Sequence, residues 1–185
     1  MTSDLGKPIL LSDPRILQVK VQEIGEPFVD LLTDHIALEV DRTRSQIGNM
    51  TAHFACVRRS VAFRLVEAQR QLPKNLLLQV KEGFRPQSLQ IKFYEDYLRR
   101  VARERPSFSP ESIVEEVAAF VAPPEVAPHC TGGAVDLTLM GLGGEKTDMG
   151  SPLQLHRACQ PPEGMHGGSR IRQLPHRMVA LVLRR

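Results

Sequence analysis

His129 and Asp136 bring an imidazole and a carboxylate to the two ends of one short string, Pro128-His129-Cys130-Thr131-Gly132-Gly133-Ala134-Val135-Asp136-Leu137-Thr138-Leu139. These are the ligand types of a catalytic zinc or similar divalent ion, which takes three protein ligands and leaves one position open. The pair reads as half of a metal site, with a third ligand to come from elsewhere. The plainer alternative for a histidine near a carboxylate is a hydrogen-bonded structural pair. Two features of the string favour metal. Gly132-Gly133 lets backbone approach closely or take positive φ, as a pocket wall requires, and Asp136 falls in an alternating stretch that reads as a strand, a rigid mount for a ligand. Cys130 is a further conceivable ligand, but it adjoins His129, and neighbours on extended backbone point to opposite sides, so it reads as a buried thiol.

A second group with chemistry to offer is Glu82-Gly83-Phe84-Arg85-Pro86. An arginine in a strand-to-helix turn is ordinarily a surface residue. Followed by proline in a short turn, Arg85 is held in a stiff loop, where a fixed guanidinium stabilises an oxyanion or grips a substrate carboxylate. Glu82 is either its partner or a plain rim charge.

The elements that must position these residues follow from periodicity. Residues 8–47 form an irregular entry segment, with Ile36-Ala37-Leu38-Glu39-Val40 as a short strand. Over residues 50–71 the apolar positions Phe54, Val57, Val61, Leu65 and Ala68 recur every three or four, a helix stripe stopped by Pro73. Residues 75–82 alternate as a strand that breaks at Gly83, and a second helix spans 88–105. A third begins behind Ser109-Pro110-Glu111-Ser112, a serine cap with proline at the first helical position, and ends before Pro123-Pro124. Residues 133–140 form a strand with Ala134, Asp136 and Thr138 on one face and Val135, Leu137 and Leu139 on the other, so Asp136 points away from the greasy face. The fold class is α+β, a small, mostly antiparallel sheet with helices packed on one face, followed by an irregular C-terminal tail.

The chain has 185 residues, enough for one domain or one domain with a tail. Hydrophobic content of 42% and charged content of 24% are those of a globular protein, and a net charge of +3 is too small to argue for nucleic acid or membrane. The charge is unevenly spread. Residues 153–185 hold six arginines against the single acid Glu163, a net +5, which leaves −2 for the rest. The first residues lack the basic start and apolar run of a secretory signal, and no stretch approaches the ~20 apolar residues of a membrane span. Three cysteines, Cys56, Cys130 and Cys159, at irregular spacing suit a reducing compartment, and the cytoplasm is the expected location.

Taken together, Glu-Gly-Phe-Arg-Pro-Gln-Ser-x-Gln over 82–90 and Pro-His-x-Thr-Gly-Gly-Ala-Val-Asp-Leu-Thr-Leu over 128–139 resemble the zinc D-alanyl-D-alanine dipeptidases of the vancomycin-resistance type. With Gly25-Glu26-Pro27-Phe28-Val29-Asp30 before and Asp148-Met149-Gly150-Ser151-Pro152 after, the resemblance covers roughly residues 20–152. It implies His129 and Asp136 as two zinc ligands and Arg85 as the residue that stabilises the transition state. It also implies hydrolysis of a small D,D-dipeptide, with a glutamate as general base.

The C-terminus departs from the family, which closes its site with Glu-x-x-His, usually Glu-Trp-Trp-His, as base and third ligand. This chain has no tryptophan, and its one match in spacing is Glu163-Gly164-Met165-His166, set among Pro161-Pro162 and Gly167-Gly168, where no rigid element is evident. The genetic code offers an explanation. Residues 173–185, written with permitted synonymous codons and read one nucleotide later, spell Asn-Tyr-Pro-Thr-Glu-Trp-Trp-His-Trp-Ser-Tyr-Gly. The expectation is a dipeptidase-like domain over residues 1–152, an aberrant, frameshifted basic tail over 153–185, and impaired hydrolysis. The rival from another class is a non-catalytic binding protein for a cell-wall peptide or partner.

Overall fold

The computed structural model describes residues 11–19, 22–34, 38–145 and 147. The expected tail, including Glu163 and His166, lies outside the described residues, as do residues 148–152 and positions 36 and 37 of the first expected strand. The fold is α+β. Its described residues fall into two compact units, one drawn from residues 11–23 with Gln87–Ala127, the other from Ile24–Pro86 with residues 128–147.

The first unit is helical. Helix α1, Pro14–Leu17, is a single turn capped by Asp13, whose carboxylate accepts from the Arg15 backbone N–H. Helix α3, Gln87–Glu104, carries its acids and bases four or three apart, with Lys92 Nζ 2.7 Å from Asp96 and Arg99 Nη2 2.7 Å from the same carboxylate. These pairs are solvent-exposed and screened, so they add little to the helix beyond local order. Helix α4, Pro110–Ala118, starts as its sequence dictates. Ser109 Oγ accepts from the Ser112 backbone N–H, and Pro110 takes the first helical position. The two helices pack together, and buried Gln90 satisfies its amide on the Ala122 carbonyl at 2.7 Å.

Among the described residues the second unit holds all the strands, β1 (Phe28–Asp30), β2 (Glu39–Val40), β3 (Cys56–Arg58), β4 (Leu76–Glu82) and β5 (Asp136–Gly141). They form two small sheets: β1 pairs antiparallel with β3, while β4 lies between β2, parallel to it, and β5, antiparallel to it. The parallel β2/β4 pair needs a crossover, which passes through β3 and helix α2, Arg59–Gln71. Helix α2 packs against β1, β3 and β4, burying Val61, Ala62 and Leu65. Gln69 ties it to β4, donating to the Leu76 carbonyl at 3.0 Å and accepting from the Leu78 N–H at 2.6 Å. Ile47, Phe54, Val57, Leu65, Val80 and Val135 are fully or almost fully buried in this unit.

Two sequence expectations change here. The helix read over 50–71 begins only at Arg59, because the segment before it forms β3 and hydrogen-bonds to β1. Phe54 and Val57 are buried as the stripe required, but by a turn and a strand rather than a helix face. In β5 the strand starts at Asp136, and the inward face is the one bearing Asp136 and Thr138, while Leu137 and Leu139 are only half-buried. The polar side of the strand faces in.

Candidate metal centre

His129 sits on a 3-10 turn, Pro128–Thr131, which Gly132-Gly133-Ala134-Val135 joins to β5, and is 8% exposed. Its Nδ1 lies 2.8 Å from the carbonyl oxygen of Gly83. A carbonyl only accepts, so Nδ1 carries a hydrogen and donates it, which fixes the ring and, in the neutral imidazole, leaves Nε2 as a lone pair. That lone pair faces Asp136 Oδ1 at 3.5 Å, beyond the range of a good hydrogen bond. Asp136 Oδ1 is itself buried without a hydrogen-bond partner. Two electron-rich atoms held face to face inside a protein call for a positive charge between them, either a proton or a metal cation.

The electrostatics point the same way. Burial is the largest influence on His129 and favours the neutral ring, but the Asp136 carboxylate, Glu82 and the Gly83 carbonyl together outweigh it and hold the imidazole above its ordinary value. The site thus draws cationic charge to the space beside Nε2. The residues present fit two ligands of a divalent ion, the imidazole already oriented by its carbonyl partner. Among the described residues no group of three His, Cys, Asp or Glu side chains is gathered that could complete the set.

The turn after β4 locks this arrangement. Gly83 N–H donates to the Phe54 carbonyl at 2.6 Å, Phe84 N–H to the Cys56 carbonyl at 2.7 Å, and Arg85 N–H to the His129 carbonyl at 3.1 Å. Gly83 is required by close approach: a Cβ there would lie 2.5 Å from the Cys56 carbonyl oxygen. Gly132, at φ +71°, takes the left-handed conformation the glycine pair allowed, and a Cβ on it would collide with the Phe28 ring.

Arg85 is almost buried, and its Nε and Nη2 meet Glu82 Oε1 at 2.6 and 2.5 Å. Of the two roles open to Glu82 from sequence, the structure shows the partner and not the rim charge: it is 1% exposed. Burial raises the Glu82 carboxyl above its ordinary range, against the opposing pull of Arg85 and His129. Glu82 stands opposite Asp136 in the β4/β5 pairing, beside an irregularity that follows Val80. The site residues named from sequence, Arg85, His129 and Asp136, therefore come from adjoining segments of one unit. Cys130 is only half-buried, not the buried thiol expected, and burial raises its thiol, with Arg85 and Glu82 as charged neighbours.

Sequence reasoning missed Arg58. Its Nε donates to the Thr131 carbonyl at 2.8 Å, its Nη1 to the Glu26 carbonyl, its backbone N–H to the Gly132 carbonyl at 2.9 Å, and its guanidinium lies 4.2 Å from the centre of the Phe28 ring. Phe28 in turn meets Phe84 edge-on at 5.0 Å. Arg58 braces the turn that carries His129. No spacing rule announces a contact between residues 58 and 131. Comparison with protein-family models and with curated proteins returned no match.

Proposed function

We propose that this chain carries a zinc-binding hydrolase site of the D-alanyl-D-alanine dipeptidase kind, with hydrolysis impaired. The observation that carries the reading is the 3.5 Å approach of His129 Nε2 to buried Asp136 Oδ1, which has no hydrogen-bond partner. His129 and Asp136 would hold the ion, and zinc bound there would supply Lewis acidity toward a peptide carbonyl. Arg85, stiffened by Pro86 and anchored on Glu82, binds a carboxylate or an oxyanion of a small D,D-dipeptide. Among the described residues no third ligand joins His129 and Asp136, and the Glu-x-x-His element that would supply a base and a ligand is matched in sequence only by Glu163 and His166; loss of such groups lowers rate by orders of magnitude. The two motifs over 82–90 and 128–139, the source of the family resemblance, support the substrate class.

Location in the cytoplasm belongs to the same proposal and is supported by the free thiols Cys56 and Cys130. No helix among the described residues is long and apolar enough to cross a membrane.

The test is calorimetry of the full chain with zinc and with D-Ala-D-Ala, alongside an assay for released D-alanine. Zinc binding that needs His129 and Asp136, dipeptide binding that needs Arg85, and slow or no release are the expected results. Rapid zinc-dependent turnover would refute the impairment, and failure to bind either ligand would refute the site. Binding of dipeptide without any dependence on zinc would favour the non-catalytic binding protein instead.

A further inference from the structure

We infer that Glu82 is a positioning residue, one that sets the orientation in which Arg85 meets a ligand carboxylate or oxyanion. The inference rests on the dipeptidase-like reading of the site given above. Two donors on one edge of the guanidinium converge on a single oxygen, Nε at 2.6 Å and Nη2 at 2.5 Å from Glu82 Oε1, which commits that edge to Glu82 and leaves the opposite side of the group to face elsewhere. Both side chains are nearly out of solvent, at 2% exposed for Glu82 and 11% for Arg85. A buried ion pair offsets its own desolvation poorly and is weak as a stabilising device, so its use here is more economically read as control of geometry.

The place of Glu82 in the fold strengthens this. It is the last residue of β4, paired with Asp136 across the strand irregularity, so one sheet segment carries both the anchor of Arg85 and a candidate metal ligand. Two further hydrogen bonds close the frame, Arg85 N–H to the His129 carbonyl at 3.1 Å and His129 Nδ1–H to the Gly83 carbonyl at 2.8 Å. A shift of Glu82 therefore moves the guanidinium relative to the imidazole and carboxylate, and such misplacement is costly at a site.

The test uses the full chain and its Glu82→Gln, Arg85→Ala and doubly substituted forms, titrated with zinc alone and then with D-Ala-D-Ala. Glu82→Gln preserves side-chain volume, and circular dichroism checks that the fold is kept. The expected result is dipeptide affinity about tenfold weaker, zinc affinity changed by less than about threefold, and a double variant no weaker than Arg85→Ala alone. Unchanged dipeptide affinity in Glu82→Gln, or losses that add in the double variant, would overturn the inference. The Arg85 Nε–H signal in nitrogen-15 NMR gives a ligand-free readout. It should be protected from exchange in the native chain and lose that protection in Glu82→Gln. Should the native chain bind no dipeptide, the functional reading fails, and the NMR signal alone decides whether Glu82 holds Arg85. A signal equally protected in both forms would exclude that role.

Discussion

Asp136 Oδ1 and His129 Nε2 face one another at 3.5 Å with no hydrogen bond adequate to explain the arrangement, and the proposed metal site grows from that contact. In the metal-free chain a proton takes the place of the cation. Because His129 is held above its ordinary value, the stability this contributes is fully present below the unfolded value of about 6.5 and is lost as pH rises through the folded one. Glu82, raised by burial, acts with the same sign, its contribution being lost as pH rises above the ordinary carboxyl range. Thermal unfolding with a chelator present should therefore show stability falling from pH 6 toward alkaline pH, with a shallower fall in Asp136→Asn. A rise across that window would contradict the assignment. At this scale His129, Asp136 and Arg85 were legible because their types and spacing imply chemistry. The Glu82–Arg85 pair was half-legible, since an acid and a base three apart invite pairing while burial cannot be read from three residues. Arg58 was not legible, because its partners at Glu26, Thr131 and Gly132 are brought near only by the tertiary fold.

At the scale of elements, local signals held where local chemistry decides the outcome. Ser109 caps α4 as its sequence requires, and Ser109→Ala should cost about 1 kcal/mol, measured by urea unfolding. A change below a few tenths would mean that the cap is dispensable. The strand expected over 75–82 and the helix expected over 88–105 appear as β4 and α3 within a residue or so. The failures have a common cause. Phe54 and Val57 have helical spacing relative to Val61 and Leu65, but β3 is recruited by pairing with β1, a contact between distant residues that periodicity within one segment cannot contain. In β5 the alternation gave the two faces correctly and left their direction open: the inward face carries Asp136 and Thr138 because that is where His129 and Glu82 lie. A strand whose polar face is buried usually has a polar task, which is consistent with a ligand mounted there.

At the scale of the whole molecule, the α+β class followed from the order of elements, whereas the division into two units did not, since residues 87–127 interrupt the unit that holds the sheets. The charge break at residue 153 was visible in composition alone. If that break records a shifted frame, the coding DNA will carry Glu-Trp-Trp-His codons one nucleotide over from residues 173–185; sequencing that finds no such open frame ends the idea. The most direct test of the account is a zinc titration of the full chain followed by thermal unfolding, with His129→Ala and Asp136→Asn alongside. Zinc at about a hundred times its dissociation constant should add about 2.7 kcal/mol to the native chain and little to either variant. Equal stabilisation of all three proteins, or none of the native chain, would show that His129 and Asp136 do not hold a metal.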